Sequence, residues 1–349
     1  AQGVSGSMQR NRKFHLQIFA CQAFYAGYNA AGADGDPAGP DAQPFDVVDD
    51  PHRRESIVVI VERFAHSHEN HVAWTAAELA RRQVLSWRQV RSCGTSTLAS
   101  LPCMFSPLGK SAFESRQDDY ENLLDVAQAA GLAVLWLDNQ SGCKGVCDRV
   151  PHAGAADGLA PEARKRLCDG GECSDEAMLE GLDERLAALP AAQRERGVLL
   201  VLHQMGSHGP AYYKRSAAAT KRFLPECRTE VLADCAHGEL VNAYDNSIAA
   251  TDAFLGRTID WLQGQSARYD TGMLYLSDHG ESLGEYGLFL HGVPYSLAPD
   301  VQKHVPMLAW LDNALARRQG LPVECLRAGA DTPLTHDNMY HTVLGALDV

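Results

Sequence analysis

No stretch of this sequence is long and apolar enough to cross a bilayer, because a spanning helix needs about 20 apolar residues in a row. The run from Phe14 to Phe24 is too short and is broken by His, Gln and Cys. Residues 1–13 have no apolar core of the kind a secretory leader carries. Basic residues are in deficit, 31 against 44 acidic, which leaves a net charge of −13 and excludes an electrostatic grip on nucleic acid. An anionic lipid partner would need a local basic patch. There is no internal repeat and no heptad array, so solenoids and coiled coils are excluded. The paired CxxC spacing of a structural zinc site is also missing.

What is present points to an oxidised globular domain. A chain of 349 residues with 45% hydrophobic content can bury a full core. Ten cysteines are too many for a reducing cytosol unless they bind metal. Eight fall into short-range pairs, Cys93 with Cys103, Cys143 with Cys147, Cys168 with Cys173 and Cys227 with Cys235. Such spacings suit disulfides that pin irregular loops in an oxidising compartment. Cys21 and Cys325 are left over, their pairing open. Export requires a signal that residues 1–13 do not supply, so the chain is expected to be part of a longer protein.

Residues 1–52 are set apart as an N-terminal segment and linker, since 30–45 are dense in Ala, Gly, Asp and Pro and cannot build a core. The domain proper is expected over 53–349. Within it, apolar runs of strand length alternate with helical stretches: Ser56 to Val61, Leu132 to Leu137, Val198 to Leu202, Met273 to Leu276 and Val305 to Trp310. Tyr120, Leu123, Leu124, Ala127 and Ala130 recur at helical spacing before Gly131, and Leu240 to Leu262 does likewise. Continuous apolar strands separated by helices predict an α/β fold, a mostly parallel central sheet with helices on both faces and disulfide-stapled loops. Asp148 to Cys173 reads as a disulfide-held insertion.

In open parallel sheets, ligands bind outside the carboxyl ends of the strands. Glu62 follows the first apolar run, Asp138 the second, His203 and His208 the third, and Asp278 with His279 the fourth. Acids and imidazoles gathered at one sheet end favour a metal site over isolated helix caps. The segment Ser92 to Ser106, SCGTSTLASLPCMFS, carries the candidate nucleophile. Thr95 follows the flexible Gly94 inside the Cys93 to Cys103 bracket, where helix N–H groups can face a phosphate. A Thr hydroxyl needs a base or a metal to become nucleophilic. Thr97 lies two residues further along, a helical rotation of roughly 200°, and is expected to point away from the metal.

Six segments together resemble one family: SCGTSTLASLPCMFS, SGCKGVCD from Ser141, HQMGSHGPAYYKR from His203, NAYDNSIAATD from Asn242, LYLSDHGESLGE from Leu274 and LHGVPY from Leu290. They are similar to the motifs of the lipid A phosphoethanolamine transferases, which include the mobile colistin-resistance enzymes and belong to the alkaline phosphatase superfamily. The similarity runs in order from about Glu55 to the C-terminal HDNMYHTVLGALDV. It implies an alkaline phosphatase/sulfatase-like fold and one tightly bound zinc held by Glu62, Thr95, Asp278 and His279. Thr95 is then the residue that receives phosphoethanolamine. His208 and His291 match histidines near the substrate phosphate, as leaving-group acids or holders of a second zinc. Lys144 matches a phosphate-contacting lysine, and Asn139, Gln140, Ser141 and Glu281 are candidates for contacts to the donor.

The first motif departs from the family, which reads Gly-Glu-Thr or Gly-Glu-Ser where this chain has IVERFAHSHENHVAW. Glu69 is the substitute ligand if the register shifts, and His66, His68 and His71 read as a solvated loop. The implied reaction moves phosphoethanolamine from phosphatidylethanolamine to a lipid A phosphate, with polymyxin resistance as the outcome. The implied place is the periplasmic face of the bacterial inner membrane, reached through an N-terminal transmembrane region missing from this sequence. The competing readings are a phosphoglycerol transferase, a hydrolase of the same superfamily, or an inactive disulfide-stapled binding module.

Overall fold

The computed structural model describes residues 55–62 and 81–349. The expected linker, Cys21, Glu69 and the histidines His66, His68 and His71 lie outside the described residues. Twelve strands are found among those described: β1 Glu55–Glu62, β2 Leu85–Arg91, β3 Ala133–Asp138, β4 His152–Gly154, β5 Cys168–Asp169, β6 Glu172–Cys173, β7 Val198–His203, β8 Tyr269–Leu276, β9 Ser282–Leu283, β10 Phe289–Leu290, β11 His304–Leu311 and β12 Leu334–Thr335. Eight form one sheet in the order β12-β2-β11-β8-β1-β7-β3-β4. Only β11 runs against the others, antiparallel to both β2 and β8. The sheet is therefore mostly parallel, as the apolar runs imply.

Alternation along each strand decides which residues meet which helices. Ile57 and Val59 of β1 pack with Leu200, Tyr275 and the helix α3 (His237–Gln265) through Phe254, Leu255 and Ile259. Val58 and Ile60, one residue out of phase, pack on the opposite face. That face is covered by α1 (Thr97–Met104), α2 (Leu123–Ala129) and α4 (Met339–Leu347), through Leu101, Leu124 and Val343. Both faces are thus buried, which explains why the central strands read as unbroken apolar runs. A third apolar cluster, around Tyr212, Leu232, Leu240, Tyr244 and Leu283, lies under the β9–β10 hairpin.

The disulfides Cys93–Cys103, Cys143–Cys147, Cys168–Cys173 and Cys227–Cys235 are all formed, and no described cysteine is free. The stretch 148–173 contains a short strand, a helix and the β5–β6 hairpin closed by Cys168–Cys173. No described helix is long and apolar enough to cross a membrane.

Candidate active site

Register brings the polar strand ends into one row. Asp138 stands opposite His203, and His203 opposite Glu62, with Leu276 on the far side of Glu62. Glu62 is placed by its backbone at the carboxyl end of the central strand, and its side chain lies outside the described part of the structure. Two residues beyond Leu276, Asp278 and His279 turn back over the sheet end and are completely buried. The turn needs glycine next, because a Cβ on Gly280 would sit 1.9 Å from the Val301 carbonyl oxygen.

The ligating atoms converge. His279 Nε2 lies 3.6 Å from Asp278 Oδ2, close to the ~3.3 Å that separates two ligands on a tetrahedron with metal bonds of about 2.0–2.1 Å. Asp278 Oδ1 accepts the His279 amide at 2.9 Å, while the buried Oδ2 has no hydrogen-bond partner among the described residues. A buried carboxylate oxygen without a donor is costly, and a cation would satisfy it. Burial raises the Asp278 pKa to about 6, against the lowering influence of the Thr97 hydroxyl, His203 and His291. Burial likewise holds His279 well below the ordinary histidine range, in its neutral, ligand-competent form. Aspartate oxygen and imidazole nitrogen, both buried and converging, fit zinc.

The two threonines are placed the opposite way round from expectation. Ser96 is the N-cap of α1 and Thr97 its first helical residue, so the helix starts later than Thr95. The buried Thr97 hydroxyl lies close enough to Asp278 to lower its pKa, without closing a regular hydrogen bond to Oδ2. Gln140 Nε2 approaches it at 3.5 Å. Thr95 instead spends its hydroxyl on the Val293 carbonyl at 2.7 Å, and its own carbonyl accepts Gly292 N–H at 2.7 Å. A hydroxyl already donating to a backbone carbonyl ties two loops together. Because α1 begins only at Thr97, helical rotation does not carry that residue away, and Thr97 is the threonine turned to the Asp278–His279 pair.

The β9–β10 hairpin delivers His291 to the same place. Its ring centroid lies 4.2 Å from that of His279 and 5.1 Å from that of His208. Burial disfavours the charged form of His291, but hydrogen bonding and the charge of Glu281 outweigh it and raise the pKa. His291 Nδ1 donates to Glu281 at 3.1 Å. His208, its Nδ1 held by the Gly209 carbonyl, is shifted down by burial. Two adjacent imidazoles with opposite shifts suit an acid and a base.

Glu281 does not reach out to a donor molecule as expected. It is completely buried and divides its carboxylate between His291 and the Tyr212 hydroxyl, the latter at 3.1 Å. Its role is to orient an imidazole. Asn139 is also committed, to the Cys173 carbonyl and Asp175 at 2.9 and 2.8 Å. Lys144 sits in the Cys143–Cys147 turn and donates to the Ser141 carbonyl and hydroxyl, both at 2.8 Å. Of the four expected polar contacts after β3, Gln140 is the one that faces Thr97.

Three residues outside the sequence reading hold the site together. His336, fully buried, accepts Cys93 N–H at Nδ1 (3.0 Å) and donates from Nε2 to the Ser277 carbonyl (2.9 Å). Ser100 accepts Gly94 N–H at 3.2 Å and donates to the Asp278 carbonyl. Gln302 bonds Ser282 at 2.8 Å and the Leu290 carbonyl at 3.1 Å. Only the long-range character of these bonds hides them, since the signal for His336 was its place in a HD pair close to an apolar helix.

His336 gives a stability prediction. Burial lowers its pKa to about 4, against about 6.5 in an unfolded chain. Between these values the unfolded state binds more protons, so stability falls as pH drops from about 6.5 to 4, by on the order of 3 kcal/mol. Urea unfolding of wild type and His336→Asn at pH 7, 6 and 5 should show a lower midpoint for the variant at pH 7 and a flatter pH dependence below it. Equal slopes in the two proteins would contradict this account.

Comparison with known proteins agrees with the geometry. The sulfatase family model matches residues 56–349. The phosphoethanolamine transferase EptA of Salmonella typhimurium is 42% identical over 277 residues, 79% of this chain and 49% of that protein. The phosphatidylethanolamine transferase Mcr-1 of Escherichia coli is 44% identical over 270 residues, 76% of this chain and 48% of that protein. The chain thus spans about half the length of these relatives. The crystal structure of the soluble domain of lipooligosaccharide phosphoethanolamine transferase A from Neisseria meningitidis superposes with a TM-score of 0.74 at 37% identity, covering 85% of this chain and 89% of that one. A mostly parallel sheet with its acids and imidazoles gathered at one end, and relatives that match it over most of its length, make this chain a member of the sulfatase family, on the branch of the phosphoethanolamine transferases.

Proposed function

We propose that the chain is the catalytic domain of a zinc-dependent enzyme that moves phosphoethanolamine from phosphatidylethanolamine to a phosphate of lipid A, through a covalent intermediate on Thr97. The observation that carries this reading is the placement of the Thr97 hydroxyl, at the first position of α1, beside the buried Asp278–His279 pair. Asp278, His279 and Thr97 would hold one zinc, with Glu62 of the central strand as the fourth ligand. When bound, zinc lowers the pKa of a ligating hydroxyl and shields charge on phosphoryl oxygens.

In the first half-reaction the Thr97 hydroxyl gives its proton to His208 and its oxygen forms a bond to phosphorus, while the bond from phosphorus to the diacylglycerol oxygen breaks. His291, kept protonated by Glu281, supplies the proton that the departing oxygen needs. The amide ends of α1 face the phosphoryl group, and Gln140 and Lys144 border it. In the second half-reaction a lipid A phosphate hydroxyl gives its proton to His291 and its oxygen attacks the same phosphorus, the bond to Thr97 breaks, and Thr97 takes back its proton from His208. His208, shifted toward the neutral form, suits removal of the Thr97 proton, and both imidazoles end the cycle as they began it. Positioning and electrostatics supply most of the acceleration in such transfers. The place of action is the periplasm, and polymyxin resistance follows from masking lipid A phosphates.

The test is intact mass after incubation with phosphatidylethanolamine, followed by peptide mapping of 92–110. One phosphoethanolamine per chain on Thr97 is expected, and it should disappear when lipid A is added. A chain that releases diacylglycerol without ever carrying the adduct would exclude the covalent route.

A further inference from the structure

The turn that leads from β7 to His208 is gripped by a side chain that the reaction does not use. Asp175, at the start of the short 3-10 helix Asp175–Met178, accepts the Met205 amide on Oδ1 at 2.8 Å and the Gly206 amide on Oδ2 at 2.9 Å. It also accepts Gln204 Nε2 at 3.3 Å and Asn139 Nδ2 at 2.8 Å. Four donors from two strand-end loops, 29 to 36 positions away in the chain, converge on one carboxylate. An acid at the start of a helix ordinarily stabilises its own first turn. This one is spent on distant segments, through bonds to a charged acceptor that are roughly twice as strong as neutral ones.

The two loops depend on Asp175 to different degrees. Asn139 has a second partner in the Cys173 carbonyl at 2.9 Å, so the loop that carries Gln140 stays anchored without it. The Met205 and Gly206 amides have no other acceptor among the described residues, and the His208 amide closes the same turn onto the Met205 carbonyl at 3.2 Å. Glu172 holds the far side of His208, where Arg215 spans from that carboxylate at 2.9 Å to the His208 carbonyl at 3.1 Å. Glu172 and Asp175 flank Cys173, whose disulfide to Cys168 closes the β5–β6 hairpin, and a covalently closed hairpin limits how far either acid can move. The His208 ring lies 5.1 Å from that of His291, centroid to centroid, and a misplacement of about 1 Å can cost about 100-fold in rate. We propose that Asp175 is a positioning residue for the transfer reaction, acting through His208: it fixes the turn 204–206 so that the imidazole meets the Thr97 proton. The inference rests on the proposed function above and adds what holds its base in place.

The experiment compares the full chain with Asp175→Ala, His208→Ala and the double variant, using phosphatidylethanolamine in detergent micelles as donor and lipid A as acceptor. Asp175→Ala should lower kcat about 100-fold, with KM for the donor nearly unchanged and the zinc content of wild type. In the His208→Ala background the same substitution should cost less than about threefold, because the residue through which it acts is gone. Asp183→Ala controls for stability. Asp183 ties the helix Leu182–Ala187 to α3 through Trp261 and Gln265, both at 2.9 Å, so its loss should lower the melting temperature and leave kcat unchanged. Asp175→Asn, which keeps one accepting oxygen, should fall between wild type and Asp175→Ala, and it carries the test if the alanine variant does not fold. Hydrogen exchange reads the grip without activity: over 203–209 it should be about tenfold or more faster in Asp175→Ala, with 198–202 unchanged. Fully additive losses in the double variant, an equal loss of kcat in Asp183→Ala, or unchanged exchange over 203–209 overturns the proposal. Loosened exchange in the variant of a protein whose wild type transfers nothing would refute the transferase reading and leave the grip of Asp175 on the turn standing.

Discussion

Thr97→Ala is expected to lower turnover by about 10⁴-fold or more and to leave no phosphoethanolamine on the protein, while Thr95→Ala keeps the adduct. The contrast arises from what each hydroxyl already does. Thr95 donates to Val293 and receives Gly292 at its carbonyl, so its loss removes one tie between α1 and the loop carrying His291. One such bond is worth about 1 kcal/mol, and a displaced loop should cost at most about tenfold in rate. Thr97 stands at the start of α1 against Asp278, where amide groups and a metal can share one phosphate. Thr97→Ser should retain part of the rate because the hydroxyl remains. Peptide mapping of both variants after exposure to donor lipid decides the matter: an adduct that persists in Thr97→Ala, or vanishes in Thr95→Ala alone, reverses the assignment.

The second large effect is on zinc. Asp278→Ala and His279→Ala should each lose the bound equivalent on dialysis and lower turnover by roughly 10³-fold, the several kcal/mol that a Lewis acid supplies to a developing charge. The fold should persist. Both side chains project beyond the end of β8 and belong to none of the apolar clusters. Elemental analysis gives the metal content, and added zinc should raise the melting temperature of wild type, not of the variants. Variants that keep a full equivalent would remove Asp278 and His279 from the ligand set.

The layers of the fold were legible because the central strands are buried on both faces and therefore unbroken in sequence. What escaped was β2, whose exposed Arg88 and Gln89 interrupt the apolar pattern, and the first half of β8, where Asp270, Thr271 and Gly272 conceal a buried strand. Asp270 is tolerated there because Arg318 pairs with it at 2.9 Å. That Asp278, His279 and His291 meet at one end of the sheet was legible from motif and position. The choice between Thr95 and Thr97 was not, since it depends on where α1 begins, and helix boundaries are set by caps to within only a residue or two. Glu281 was assigned outward because an acid beside a metal motif resembles a ligand contact. Its inward turn is dictated by Tyr212 and His291, which arrive from distant segments.

The bond from Cys93 to His336 closes a loop of 243 residues, and this orders events during biosynthesis. At about 5–20 residues per second, roughly 10–50 s pass between the emergence of these two positions. The four local disulfides, with partners 4 to 10 residues apart, require no distant partner and can close as their own segments appear. Oxidation would then shape the Cys93 to Cys103 turn well before His336 exists to anchor it. The turn that leads into Thr97 is therefore made and oxidised well ahead of its distant anchor, and it takes its final place only when the His336 segment docks behind it.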